Sequence, residues 1–164
     1  MTMEVFRSDE LDRIAALPRR PPWTKEESDE AIELLTQHLR TPNGAQRLKG
    51  TQAQALTEAS DFGRMVAGLG AGGGKTHLSL LLPTIMAAER TILFVPARLL
   101  EKTEKAYREI AKHWRVPDLR VGFSGAAPKG TITLFNYEKV SLEKYASCLD
   151  EMEPDLMVPD EAHC

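Results

Sequence analysis

A glycine-rich stretch that ends in Lys75 and Thr76 contains the residue types that phosphate binding requires. Glycines let backbone N–H groups close around an oxyanion without clashes of Cβ atoms, and the N-terminus of a following helix adds a favourable partial charge. The ammonium group of Lys75 would reach the β- and γ-phosphates of a nucleotide, and the Thr76 hydroxyl would bind Mg²⁺. The predicted phosphate-binding residues are Gly70, Ala71, Gly72, Gly73, Gly74, Lys75 and Thr76.

Apolar residues flank this loop on both sides. The run Met65–Gly68 precedes it and the run His77–Leu82 follows it. We therefore predict a strand, the loop and a buried helix in that order, which is the context in which such a loop binds phosphate. The alternative is a flexible glycine linker that happens to precede Lys-Thr, and the flanking runs argue against it. Leu69 stands where the common pattern has its first glycine.

An acidic pair, Asp160 and Glu161, directly follows the apolar run Leu156–Val158. Such a pair complements a phosphate loop, because the aspartate holds Mg²⁺ through water while the glutamate orients and deprotonates an attacking water. The candidate metal ligands are therefore Thr76 and Asp160. The candidate catalytic residues are Lys75 and Glu161.

Alternating elements are predicted to position these residues. Buried or partly buried strands are expected over Thr91–Val95, Arg120–Phe123, Thr131–Phe135 and Leu156–Val158. Helices are expected over Leu99–Trp114 and Val140–Leu149. Strands that alternate with helices indicate an α/β fold with a parallel sheet, in which ligands bind beyond the carboxyl ends of the strands.

Residues 1–45 are predicted to form a helical N-terminal appendage, and residues 46–164 the α/β domain. Ser8 can cap a helix over about Asp9–Ala16, and Thr24 with Glu27 forms a capping box for a helix that ends near Arg40. No residues with evident chemistry occur in this part. We interpret it as a packing or partner-binding element.

The composition is that of an ordinary globular protein, with 42% hydrophobic and 27% charged residues in 164. No apolar run approaches the roughly 18 residues of a membrane span, and no signal pattern opens the chain, so we expect no membrane association and a cytoplasmic location. Cys148 and Cys164 are isolated, without metal-ligand spacing, and are interpreted as reduced.

Charge is distributed unevenly along a chain whose net charge is −3. Eight basic residues against four acidic ones lie between Arg98 and Lys129, whereas Asp150–Cys164 has six acids and no Lys or Arg. This polarity suits phosphate contacts at one surface and a metal site at another. The alternative for the basic stretch is a solvated helix face with Glu/Lys pairs.

The segment from about Leu48 to Cys164 resembles the first RecA-like domain of superfamily 2 helicases and translocases with a DEAH box, with features similar to Swi/Snf-type relatives. The resemblance rests on the Gly-x-Gly-Lys-Thr loop, the tetrapeptide Asp160–His163, a glutamine motif at Gln52, a motif Ia-like segment Phe94–Leu100 and the segment Leu134–Glu138.

This resemblance implies ATP and Mg²⁺ as cofactors, with Gln52 reading the adenine edge. It implies contact with nucleic acid, DNA rather than RNA, through residues near Arg98 and Asn136. Ala97 and Asn136 stand where the family often has a Thr or Ser that touches phosphate, and Pro159 before Asp160 is unusual.

The resemblance also implies a second RecA-like domain, in cis or in trans, which carries an arginine finger needed for hydrolysis. We therefore expect a fragment of a longer protein, a half that works with another chain, or a gene interrupted at Cys164, for instance by an intein. The isolated chain is expected to bind ATP with almost no turnover. Alternative interpretations are a truncated nucleotide- or partner-binding domain without turnover, and another P-loop motor ATPase.

Overall fold

A computed structural model describes residues 8–16, 21–70, 72–122, 127–140 and 148–160. The helices are α1 (Asp9–Ala15), α2 (Lys25–Leu39), α3 (Gly50–Phe62), α4 (Lys75–Ile85), α5 (Leu100–Ile110), α6 (Tyr137–Val140) and α7 (Cys148–Met152). The strands are β1 (Arg90–Val95), β2 (Asp118–Val121), β3 (Thr131–Asn136) and β4 (Leu156–Pro159), and a 3-10 turn spans Ala97–Leu99.

The four described strands form one parallel sheet in the order β2-β3-β1-β4. The interior strands β1 and β3 are continuous runs of buried residues, because helices or loops cover both faces of a parallel sheet. The register pairs Phe94 of β1 with Phe135 of β3 and with Pro159 of β4. The predicted α/β class with a parallel sheet is confirmed.

The larger part of the core lies between the sheet and helices α2 to α5. Leu80 and Leu81 of α4 are fully buried and belong to the same hydrophobic cluster as Leu93 and Val95 of β1. A smaller cluster on the other face contains Ile92, Phe94, Ala127, Phe135 and Met152. Helix α4 is thus fixed against the sheet by its apolar side chains, which determines where the loop before it lies.

The two predicted N-terminal caps are confirmed. Thr24 and Glu27 exchange hydrogen bonds, with the Thr24 amide donating to the Glu27 carboxylate at 2.7 Å and the Glu27 amide donating to the Thr24 hydroxyl at 3.2 Å. The amide of Leu11 donates to the Ser8 hydroxyl at 3.2 Å. These side chains satisfy donors that the first turn of a helix leaves without backbone partners.

Helix α2 shares the core of the α/β part of the chain. Leu39 is 0% exposed and belongs to the larger hydrophobic cluster. The amide of Arg115 donates to the Leu39 carbonyl at 2.7 Å, and the amide of Thr41 donates to the His113 carbonyl at 3.0 Å. The boundary at residue 45 stays a prediction, and α2 packs across it.

The strand predicted over Met65–Gly68 is wrong. These residues belong to no strand, and the side chain of Val66 is fully exposed. The amide of Leu69 donates to the Ala67 carbonyl at 3.0 Å. The Ala67 carbonyl therefore accepts a local hydrogen bond instead of one from a neighbouring strand. An apolar run of this length does not by itself distinguish a strand from irregular backbone, because pairing depends on an available neighbour.

Several predicted element boundaries also differ from the observed ones. The helix predicted to reach Trp114 ends at Ile110, because the chain then turns and Trp114 forms an antiparallel bridge with Arg40. The strand predicted over Arg120–Phe123 is observed as β2, and Phe123 lies outside the described residues. Of the helix predicted over Val140–Leu149, only the ends are described, within α6 and α7.

No helix among the described segments is both long enough and apolar enough to cross a membrane.

Leu39→Ala is expected to lower the free energy of unfolding by about 2–5 kcal/mol, the usual cost of truncating a fully buried leucine. Leu34→Ala, on the same helix but 64% exposed, is the matched control and should change it by less than about 0.5 kcal/mol. Urea unfolding followed by circular dichroism measures both. Equal, small effects of the two substitutions would contradict a core shared between α2 and the α/β part.

Candidate functional site

The loop before α4 adopts a conformation that depends on glycine. Gly72 and Gly74 have φ angles of 76° and 83°, in the left-handed region that side chains disfavour. The amide of Gly73 donates to the Gly70 carbonyl at 3.1 Å, which closes a turn. Gly74 is the N-cap of α4, and its carbonyl accepts from the amide of Leu78 at 3.0 Å.

The N-terminus of α4 has no capping side chain. Lys75 and Thr76, both partly buried, form the first turn of this helix. The first amides of a helix have no partners within it, and they attract anions together with the helix dipole. This helix end therefore provides N–H groups that could donate hydrogen bonds to a phosphate group.

Gln52 lies against the end of the loop. Its side chain is only 6% exposed, and its Oε1 accepts from the amide of Lys49 at 3.0 Å. A Cβ atom at Gly74 would collide with the Nε2 atom of Gln52. The amide group of Gln52 thus packs against the loop that precedes α4. Its recognition of adenine stays a prediction, and its contacts give it a second role in fixing the loop.

Chain topology brings the loop and Asp160 to the same edge of the sheet. Helix α4 ends at Ile85, and β1 begins at Arg90 after a short connection, so the N-terminus of α4 lies at the carboxyl end of β1. Strand β4 is parallel to β1, and Asp160 follows its last residue. Because the carboxyl ends of parallel strands share one edge, the predicted phosphate loop and metal ligand both lie there.

Pro159 is compatible with strand pairing because of its position in the ladder. The amide of Asp160 donates to the Phe94 carbonyl at 2.9 Å, so the backbone groups of Asp160 face β1. Successive residues of a strand direct their backbone groups to opposite sides, and those of Pro159 therefore face away from β1. In the described sheet β4 is an edge strand, where a missing N–H costs nothing.

Part of the predicted site lies outside the described residues. These positions are Ala71 in the loop, the proposed base Glu161, and His163 and Cys164. Their predicted roles therefore stay predictions.

Within the described parts of the chain, no group of three or more His, Cys, Asp or Glu side chains could hold a metal ion. Such a group is not what the predicted Mg²⁺ site requires. Magnesium in phosphate-transferring sites is bound by one or two protein oxygens together with phosphate oxygens and water. The Thr76 hydroxyl and the Asp160 carboxylate are ligands of this type, so the chemistry of the donor set fits the ion.

The predicted nucleic-acid residues differ in exposure. Arg98 is exposed in the 3-10 turn after β1. Asn136 is buried, and its Oδ1 accepts from the Lys139 amide at 2.8 Å. The amide of Ala97 donates to the Glu138 carboxylate at 3.1 Å. Asn136 thus stabilises the first turn of α6, and its predicted contact with nucleic acid would need its remaining amide donors.

Ion pairs neutralise part of the basic stretch. Arg108 pairs with Glu104 at 3.3 Å, Lys112 with Glu109 at 2.8 Å, and Lys129 with Glu89 at 2.6 Å. The Arg108–Glu104 and Lys112–Glu109 pairs agree with the alternative interpretation of a solvated helix face for this part of the stretch. Exposed Lys102 and Lys105, with Arg98, lie near the start of α5.

His77 follows Thr76 and packs edge-on against Trp114, with ring centroids 6.0 Å apart. Burial lowers the pKa of His77 from its ordinary value, and the nearby charge of Lys49 lowers it further. The imidazole is therefore favoured in its neutral form beside the loop.

The sequence resemblance placed Tyr137 in the segment Leu134–Glu138, which was predicted to lie beside nucleic acid, but it did not indicate the contacts that Tyr137 makes at this edge. Its hydroxyl donates to the carbonyl of Asp160 at 2.8 Å, and its ring stacks on Phe94. The contact joins residues far apart in the chain, so no local pattern signals it.

Gly74→Ala is expected to destabilise the loop, because alanine at φ 83° is strained and its Cβ would collide with Gln52. We expect the free energy of unfolding to fall by at least about 1 kcal/mol, the usual cost of left-handed backbone for alanine. Gly68→Ala is the matched control, since its Cβ would meet no atom within 4 Å. Both variants are measured by urea unfolding. Equal free energies of unfolding for Gly74→Ala and Gly68→Ala would contradict the described loop conformation.

Comparisons of the chain with protein-family models, with curated proteins and with solved structures gave no match in any of the three.

Proposed function

We propose that this chain is the ATP-binding part of an ATP-dependent DNA helicase or translocase of superfamily 2, with a RecA-like fold. The observation that carries the proposal is a glycine loop that enters an uncapped helix N-terminus at Lys75, at the sheet edge where Asp160 follows β4. The alternation of strands and helices and the parallel sheet support this proposal.

Nucleotide binding uses backbone and side-chain donors together. The first amides of α4 donate to no capping side chain, so in this proposal they can donate hydrogen bonds to the β- and γ-phosphates. Lys75 supplies a positive charge to the same phosphates. Gln52, packed against Gly74, fixes the loop and presents its amide group towards the adenine edge in this proposal.

In this proposal, three side chains have separate roles in hydrolysis. Thr76 and Asp160 hold Mg²⁺, and Glu161 orients and deprotonates the attacking water. When bound, Mg²⁺ neutralises the charge that develops on the phosphate oxygens. An arginine finger from a second RecA-like domain completes this neutralisation. Without such a finger, rates in comparable enzymes fall by about 10³–10⁵, so we expect the isolated chain to bind ATP with little turnover.

Nucleic acid is proposed to bind beside the carboxyl end of β1. Exposed basic residues at Arg98, Lys102 and Lys105 support this surface, because phosphate contacts by Lys and Arg provide affinity that does not depend on base sequence. The more distal basic residues Arg108 and Lys112 are already paired with glutamates on α5. On α5 the proposed surface is therefore restricted to Lys102 and Lys105, and Arg98 is included because it is exposed.

Lys75→Ala is expected to weaken Mg-ATP binding by at least about tenfold, because loss of the phosphate-contacting charge removes more than about 1.4 kcal/mol. Isothermal titration calorimetry measures the change directly. Lys25→Ala is the matched control, because Lys25 is likewise the first residue of a helix, α2, but lies away from the glycine loop.

Equal affinity of wild type and Lys75→Ala would contradict the proposed phosphate site. Binding without measurable hydrolysis agrees with the proposal, whereas robust ATPase activity of monomeric 1–164 would contradict the proposed need for a second domain.

A further inference from the structure

Tyr137 connects two strand ends at the carboxyl edge of the sheet. It is the first residue of α6 and directly follows β3. Its ring stacks on Phe94 of β1 with centroids 5.9 Å apart and an interplanar angle of 25°. Its hydroxyl donates to the carbonyl of Asp160 at 2.8 Å. One side chain thus spans from β3 across β1 to the residue that follows β4.

The helix that carries Tyr137 is itself held in place. Asn136 accepts from the Lys139 amide at 2.8 Å, which stabilises the first turn of α6. The Ala97 amide donates to both carboxylate oxygens of Glu138, at 3.2 and 3.1 Å, and this contact joins α6 to the chain after β1. Because both neighbours of Tyr137 are fixed, its hydroxyl has a defined position relative to β1.

Asp160 lies where the strand ladder ends, and the Tyr137 hydroxyl is one of the groups that hold its backbone. Its amide is fixed by the Phe94 carbonyl at 2.9 Å, and its carbonyl is fixed by Tyr137 at 2.8 Å. The two bonds hold the peptide groups on either side of its Cα. Since the Cα–Cβ direction follows from those two peptide groups, they also set the direction in which the carboxylate leaves the backbone. Loss of the Tyr137 bond would remove one contact that holds the second peptide group.

We propose that Tyr137 is a positioning residue for the Mg²⁺ site: it holds the Asp160 backbone so that the carboxylate points towards a metal–nucleotide complex at the loop. This inference rests on the proposed function, in which Asp160 is the metal-site carboxylate. Tyr137 itself touches neither the metal nor the nucleotide. Its role resembles that of groups that hydrogen-bond to a metal ligand and orient it without binding the metal. Removal of such groups typically weakens metal binding by about 10–100-fold.

Tyr137→Phe tests this inference, because it removes the hydroxyl and keeps a ring that can stack on Phe94. The affinity of the 1–164 chain for a non-hydrolysable ATP analogue is measured by calorimetry, once with Mg²⁺ and once with EDTA. We expect Tyr137→Phe to reduce the gain in affinity that Mg²⁺ provides by about tenfold. Affinity in EDTA should be unchanged, since the loop and Lys75 are untouched.

Tyr107→Phe is the matched control. Tyr107 is partly buried like Tyr137, but it lies on α5 and packs on the other hydrophobic cluster. Removal of its hydroxyl should leave the Mg²⁺-dependent gain unchanged. Urea unfolding of both variants reports any general loss of stability, which would affect the Mg²⁺ and EDTA titrations alike.

One result would overturn the inference while leaving the proposed function intact: an unchanged Mg²⁺-dependent gain in Tyr137→Phe, whether the affinity in EDTA stays the same or falls. A wild-type chain that binds the analogue with no gain from Mg²⁺ would instead contradict the proposed metal site, and this inference with it.

Discussion

Parallel pairing of β4 with β1 is the constraint on which the site depends. The pairing brings the residue after β4 to the same edge as the residue after β1, and the amide of Asp160 completes it by donating to Phe94 at 2.9 Å. Helix α4 packs its apolar side chains against this sheet and runs back from the same edge. The loop before α4 and the acidic residue after β4 therefore lie at the same edge of the sheet, although they are far apart in sequence.

Polar groups at this edge fall into two classes. Some are satisfied within the chain: Gln52 accepts from Lys49, and Glu138 accepts from Ala97. The N-terminus of α4 instead has no capping side chain, and its loop requires left-handed glycines at 72 and 74. A helix normally meets this need with a Ser, Thr, Asp or Asn cap, as Thr24 does for α2. An external anion would provide α4 with the equivalent partner.

Sequence patterns predicted the parts of the fold that local chemistry determines. The strands β1 and β3 are buried runs rich in apolar and β-branched residues, and the Thr24–Glu27 box marks a helix start, so each was predictable. Pairing partners are not local, which is why Met65–Gly68 was wrongly predicted as a strand. The contact between Tyr137 and Asp160 and the packing of Gln52 on Gly74 were missed for the same reason. Residue types indicated Lys75, Thr76 and Asp160, and the topology supplied their common edge.

In the proposed function, one Mg²⁺–nucleotide complex lies between the loop and Asp160. Paramagnetic relaxation by Mn²⁺, added with ADP in place of Mg²⁺, tests it most directly, because broadening of amide resonances falls steeply with distance from the ion. We predict that the amide signals of Thr76 and Asp160 broaden first, and that those of α1 stay sharp. Broadening confined to other acidic residues, such as Asp150 and Glu151 of α7, with Thr76 unaffected, would contradict the account.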